Sequence, residues 1–130
     1  MPKRYPPDDP REWLNRAHSS LNMARIAAEG VYLEDLCFQA QQAAEKAVKA
    51  VLIKLCIEFP YTHDISQLLT TLENAGQGIP GFVRESERLS RFAVIARYPG
   101  IAPPLDGAEY DQAIATADRV VRWAVEFISA

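Results

Sequence analysis

Residues 32–58 read YLEDLCFQAQQAAEKAVKAVLIKLCIE, with neither a glycine nor a proline among them. Leu36, Ala40, Ala43, Ala44, Ala47, Ala50 and Val51 recur at three- and four-residue spacing and share one face of a helix, and their small side chains permit close approach of a neighbouring helix. The opposite side is not cleanly polar. Phe38, Leu52 and Ile53 stand there among Gln42, Glu45, Lys46 and Lys49. A helix with apolar residues on both sides is expected at the centre of the fold or beneath a partner.

Outward from this helix, proline and glycine mark the boundaries. The prolines fall at positions 2, 6, 7, 10, 60, 80, 99, 103 and 104, and the glycines at 30, 76, 78, 81, 100 and 107 mark nearly the same gaps. The segments between them suit helices. In the first, Asp9 is a natural cap, Pro10 fits the first helical position and Glu12 completes a capping box; the helix is expected to reach Gly30 with Trp13, Leu14, Ala17, Leu21, Ala24 and Ala28 inward. Thr62 is the expected N-cap of a short helix that runs to about Ala75 and stops at Gly76. Residues 81–97 form a fourth helix with Phe82, Leu89, Phe92, Ala93 and Ala96 inward. Asp106 and Glu109 form a capping box for the last helix, whose inner stripe is Tyr110, Ala113, Ile114, Ala117, Val121, Ala124 and Ile128. Nothing alternates with period two. The expectation is an all-α, up-and-down bundle of four long helices plus one short helix, more than two-thirds helical, with residues 1–9 a flexible N-terminal arm and 10–130 the bundle domain.

Composition agrees with such a domain. The 130 residues are 48% hydrophobic and 24% charged with a net charge of -3, which excludes a polybasic nucleic-acid binder and the signature of disorder. A chain of this size buries roughly two-thirds of its unfolded surface and needs no staples. No apolar run approaches a membrane span and the start MPKRYPPDDP has no apolar core of a secretory signal, so a cytoplasmic protein is expected. Cys37 and Cys56, on one expected helix, are separated by about 28 Å and cannot pair. Two cysteines and two histidines make no zinc spacing, and neither a metal nor a cofactor is expected.

Phosphate-loop, GxSxG, HExxH and EF-hand patterns are all missing, which leaves three local clusters. In QQAAEKAVKA, residues 41–50, Gln42, Glu45, Lys46 and Lys49 share a side: either a solvated face with a Glu45–Lys49 pair, or a cationic ledge for phosphate. In Tyr61-Thr62-His63-Asp64, at a helix start, His63 is either an acid–base group or a hydrogen-bonding partner of a neighbouring helix end. In Ala96-Arg97-Tyr98-Pro99, proline ends the fourth helix and leaves Arg97 and Tyr98 at its mouth, where an arginine also suits the helix dipole. Arg84, Arg88 and Arg91 form a stripe diluted by Glu85 and Glu87, a solvated face.

QQAAEKAVKA, then THD, then ARYP before a final amphipathic helix: in this order, from Trp13 to Phe127, the chain resembles the HEPN family (higher eukaryotes and prokaryotes nucleotide-binding). The resemblance implies an all-α bundle, often dimeric, and one of two roles. One is a nucleotide- or RNA-phosphate-binding subunit that acts beside a minimal nucleotidyltransferase in a two-component, toxin–antitoxin-like system. The other is a metal-independent ribonuclease toxin. Ribonuclease members carry Arg followed four to six residues later by His near the last helix, to move a proton and steady phosphate charge. Here Arg97 is followed at 102–104 by Ala, Pro and Pro, no histidine follows His63, and the chance pair Arg11 and His18 lies in another region.

The binding-subunit reading therefore leads, without independent catalysis. It takes Lys46, Lys49 and Arg97 as phosphate contacts, His63 as their orienting group and Tyr98 as a stacking or modifiable group, with all five expected to converge. The ribonuclease reading makes His63 the base and Arg97 the phosphate clamp; a third reading is an interaction module with no small ligand. On the last helix Thr116, Val120, Trp123 and Phe127 form a second line outside the core stripe. Together with Phe38, Leu52 and Ile53 they predict a homodimer, with Trp123, Val120, Phe127 and Phe38 at its interface.

Overall fold

The structure is a computed structural model and describes residues 2–130. Six α-helices follow one another: α1 (Pro10–Ala24), α2 (Leu33–Lys54), α3 (Ile65–Asn74), α4 (Gly81–Arg84), α5 (Arg91–Ile95) and α6 (Gly107–Ser129), with a 3₁₀ segment, Glu85–Ser90, joining α4 to α5. No strand occurs among the described residues. The helix α2 is central. It packs against α1 and α6 along most of its length and against α3, α5 and the 3₁₀ segment on its remaining side. Ala40, Ala43, Ala44, Ala47 and Ala50 are fully buried, and the first four share one core with Ala17 and Ala24 of α1 and Ala113, Ala117 and Ala124 of α6. Small side chains on all three helices let the axes approach closely. Leu68, Leu69 and Leu72 of α3, with Val83, Leu89 and Phe92, close the other side.

Local chemistry sets the ends of the helices, in places not as the sequence predicts. The capping box of α6 forms in both halves: Glu109 N–H donates to Asp106 at 2.8 Å and Asp106 N–H to Glu109 at 3.5 Å. At α1, Asp9 accepts from Arg11 N–H at 2.9 Å, but Glu12 does not turn back to close a box; it is buried and accepts Tyr5 N–H at 2.9 Å. That bond, with Asn15 donating to the Lys3 carbonyl and Trp13 Nε1 to the Pro7 carbonyl, lays the non-helical N-terminal arm along α1. The helix stops at Ala24, short of Gly30, where the Tyr110 hydroxyl takes the Ala24 carbonyl that helix termination leaves free.

The end of α2 comes at Lys54, before residue 58. Cys56 N–H bonds to the Ile53 carbonyl and Ile57 N–H to the Leu52 carbonyl, with Cys56 in the left-handed region at φ 57°. This double bond closes a helix end but is usually built on glycine. The cap of α3 is Asp64, which accepts Ser66 N–H at 3.0 Å; Thr62 instead accepts Asp64 N–H. Residues 81–95 follow the predicted helical path in three pieces. Ser86, fully buried, donates to the Val83 carbonyl at 2.6 Å, an i to i−3 bond that tightens the following turns into 3₁₀ geometry. Helix covers 66% of the chain, just short of two-thirds, because α1 and α2 end early.

The second apolar strip is partly taken into the single chain. Val120 and Leu52 are fully buried in the core, so neither lies at a surface; Trp123, Phe127, Phe38 and Ile53 remain half-buried, with the Trp123 and Phe127 rings 5.7 Å apart. Among the described residues no helix is long and apolar enough to cross a membrane.

Candidate functional site

Glu45 sits in the middle of α2, buried beneath the loop that precedes α3. Lys49, one turn later, donates to it at 2.9 Å and is itself buried. Gln41, one turn earlier and fully buried, donates both to Glu45 and to the His63 carbonyl, at 3.0 Å each. The His63 Nδ1 lies 3.2 and 3.3 Å from the two Glu45 oxygens, while the ring remains about half exposed and meets Tyr61 edge-on. Spacing along the helix produces this cluster: residues 41, 45 and 49 stack on one face at successive turns. That face is covered, so its charges are compensated internally. The face is neither a solvated one nor, at Lys49, a free cationic ledge. Trp13 of α1 roofs Lys49, whose ammonium lies 5.8 Å from the ring centroid.

Lys46 points to a different neighbour. Its ammonium donates to Ser20 of α1 at 2.8 Å, and among the described residues no carboxylate lies within ion-pair distance of it. Burial pulls its pKa below the ordinary lysine range; Glu45 opposes the shift and the Arg16 and Lys49 charges add to it. Arg16, beside it on α1, bonds to Glu12 at 2.7 Å.

The five predicted site residues do not gather in one place. Ile65 N–H donates to Ser90 Oγ, so the residues entering α5 lie beside the start of α3, and α5 then leads away from it. Tyr98 ends in a groove of about 410 Å³ with Tyr32, Glu34 and Asp35 of the α2 N-terminus. Asp35 precedes Lys49 by roughly 21 Å along the helix axis at 1.5 Å per residue. Arg97, exposed, stands between two residues of this groove, Ala96 and Tyr98, without lining it. His63 and Lys49 thus share Glu45, Lys46 faces α1, and Arg97 with Tyr98 belongs to the far end of α2. Of the arginine stripe on residues 84–91, Arg84 pairs with Glu73 and Glu87, and Arg91 with Glu109. Arg11 is held by Asp9 and lies over Tyr5, apart from any pairing with His18.

The sequence reading misses the roles of Gln41, Ser20 and Glu12, and sees in Glu45 only a helix pair. The available signal was the setting of Glu45 and Lys49 among Ala43, Ala44, Ala47 and Val48, where a solvated face would carry further polar residues. Among the described residues, no group of three His, Cys, Asp or Glu side chains is placed to hold a metal ion.

Comparison with known proteins places this arrangement in context. The HEPN domain matches residues 10–128, nearly the whole chain. An archaeal HEPN homologue of known crystal structure, ST0689, is 31% identical, with a TM-score of 0.71 over 92% of this chain and 98% of its own. TT1696 from Thermus thermophilus is 26% identical, with a TM-score of 0.74 over 91% of this chain and 97% of its own. No curated protein matches. With a match that spans every helix of the bundle and a similar solved structure above 30% identity, the chain belongs to the HEPN domain family.

Proposed function

We propose that the chain is a HEPN subunit that binds the phosphate of a nucleotide or RNA, without independent catalysis. The observation that supports this most is Lys46: a half-buried ammonium whose side-chain partner is a neutral hydroxyl, with the guanidinium of Arg16 nearby. A buried cation is ordinarily paired with a carboxylate, and where it is not, an arriving anion supplies the missing charge. Lys49, paired to Glu45, supports the fold of the site, and His63 fixes the loop above it. Arg97 and Tyr98, at the other end of α2, suit the ribose-phosphate or base of a longer ligand. A minimal nucleotidyltransferase in a two-component, toxin–antitoxin-like system is the proposed protein partner, on family resemblance.

Fluorescence anisotropy with labelled single-stranded RNA and with ATP tests the reading. Micromolar or tighter binding is expected, weakened at least tenfold in Lys46→Met; no binding of either ligand refutes it. A second reading, a metal-independent ribonuclease, draws on the His63–Glu45 contact, which resembles an imidazole oriented by a carboxylate. It requires that the purified chain cleave RNA and that His63→Ala abolish cleavage.

A further inference from the structure

Beside Lys46 a recess of about 230 Å³ opens between the N-terminal arm, α1 and α2, lined by Lys3, Arg4, Glu12, Arg16, Ser20 and Lys46 among others. Four cations and one carboxylate border it. The carboxylate is already satisfied: Glu12 accepts from Tyr5 N–H and from Arg16, with Arg4 3.9 Å away. The chain as a whole carries a net charge of -3, so this positive excess is local. It is also built. The bonds of the arm to Glu12 and Asn15 hold its backbone at residues 3–5 against α1, which keeps Lys3 and Arg4 at the rim, and Lys46 is oriented by Ser20.

We propose that this recess takes a terminal phosphate, a phosphate monoester at the 5′ end of an RNA or on a free nucleotide. The proposal rests on the phosphate-binding reading above and specifies its ligand. A monoester carries nearly two negative charges at neutral pH and three acceptor oxygens, which match the cation excess and the exposed hydroxyl of Ser19. An internal phosphodiester carries one charge and must lead a chain out on both sides. The volume lies below the roughly 300 Å³ at which pockets begin to enclose whole drug-sized ligands, so the phosphate and its sugar fit while the base stays outside. Discrimination therefore falls on the terminal phosphate and not on the base.

The test uses the full chain with two versions of one short RNA, 5′-phosphorylated and 5′-hydroxyl, alongside a nucleoside 5′-monophosphate and its 3′,5′-cyclic counterpart. The 5′-phosphorylated RNA is expected to bind at least tenfold tighter than the 5′-hydroxyl form, and the linear monophosphate tighter than the cyclic one. A preference confined to the RNA pair assigns the phosphate to an RNA end; one confined to the mononucleotides assigns it to a free nucleotide. Arg4→Ala and Lys46→Met should each remove the preference. The Arg4 side chain is 68% exposed, so its replacement leaves the core intact. Equal affinities within both pairs overturn the terminal-phosphate assignment while leaving phosphate binding in place, and a preference that survives both Arg4→Ala and Lys46→Met overturns the assignment of that phosphate to this recess. Absence of all binding refutes the underlying reading as well.

Discussion

Glu45 shows how much can rest on one carboxylate. Itself almost wholly shielded from water, it accepts from the buried Gln41 and Lys49 and faces the half-exposed ring of His63. Glu45→Ala would strand the Lys49 ammonium without a partner, and a loss of about 3–5 kcal/mol is expected in urea unfolding. Glu45→Leu combined with Lys49→Met removes both charges and should recover most of that loss. The Glu45–Lys49 spacing alone did not make this hub legible, because a Glu–Lys pair four residues apart reads the same on a solvated face as beneath another helix; only the apolar residues beside it, Ala43, Ala44, Ala47 and Val48, mark it as buried. Cys56 makes the opposite point. It occupies a left-handed position at φ 57° where a side chain costs roughly 1–2 kcal/mol, so Cys56→Gly should stabilise the fold by about 1 kcal/mol, read as a higher urea midpoint with an unchanged slope. Cys37 differs from it in burial, which pushes its thiol up to about 11, with Glu34 nearby adding to the shift. A thiol reagent should therefore label Cys56 in the native protein and both cysteines only after unfolding. The unfolded thiol ionises near 9.0 while the folded one stays protonated, so stability should fall as pH rises from there through about 11.

At the scale of elements, the punctuation by proline and glycine located the helices well, and side-chain chemistry decided where they stop. The Asp106–Glu109 box was readable because both residues lie in one local pattern and nothing else competes for them. Asp106→Ala should cost about 1 kcal/mol. The matching pattern at Asp9 and Glu12 was misleading, since Glu12 answers a residue outside the helix, Tyr5, which no spacing rule connects to it. The break at residues 85–90 was likewise invisible: it depends on Ser86 being buried with no partner but the Val83 carbonyl. The arm is the element most open to test. The bond from Tyr5 N–H, then that from Arg16, holds the Glu12 carboxyl below its usual range. Its contribution is therefore complete above the ordinary glutamate range and is lost as pH falls through the lowered value. Glu12→Gln should speed tryptic cleavage after Arg4 at neutral pH, where the wild-type carboxylate holds the arm.

The whole molecule combines an alanine-lined core with a positive recess on a chain of net charge -3. The all-α fold and the family were legible because they rest on long segments and on three motifs in order; the convergence of the site was not, because it depends on how far α5 carries Arg97 and Tyr98 from α3. Trp123, Phe127 and Phe38, still half-buried, should pair two chains in solution, and light scattering at tens of micromolar should read twice 14.5 kDa, falling to 14.5 kDa in Trp123→Glu. A wild-type mass near 14.5 kDa would refute the dimer. If Lys46 holds a phosphate, the salt dependence of RNA affinity records its charge. Each phosphate contact on a single strand contributes a slope of about 0.7 to the fall of log affinity with log salt concentration. Wild type is expected to show a measurable slope and Lys46→Met a slope smaller by about that amount; identical slopes in the two proteins would mean that Lys46 touches no phosphate.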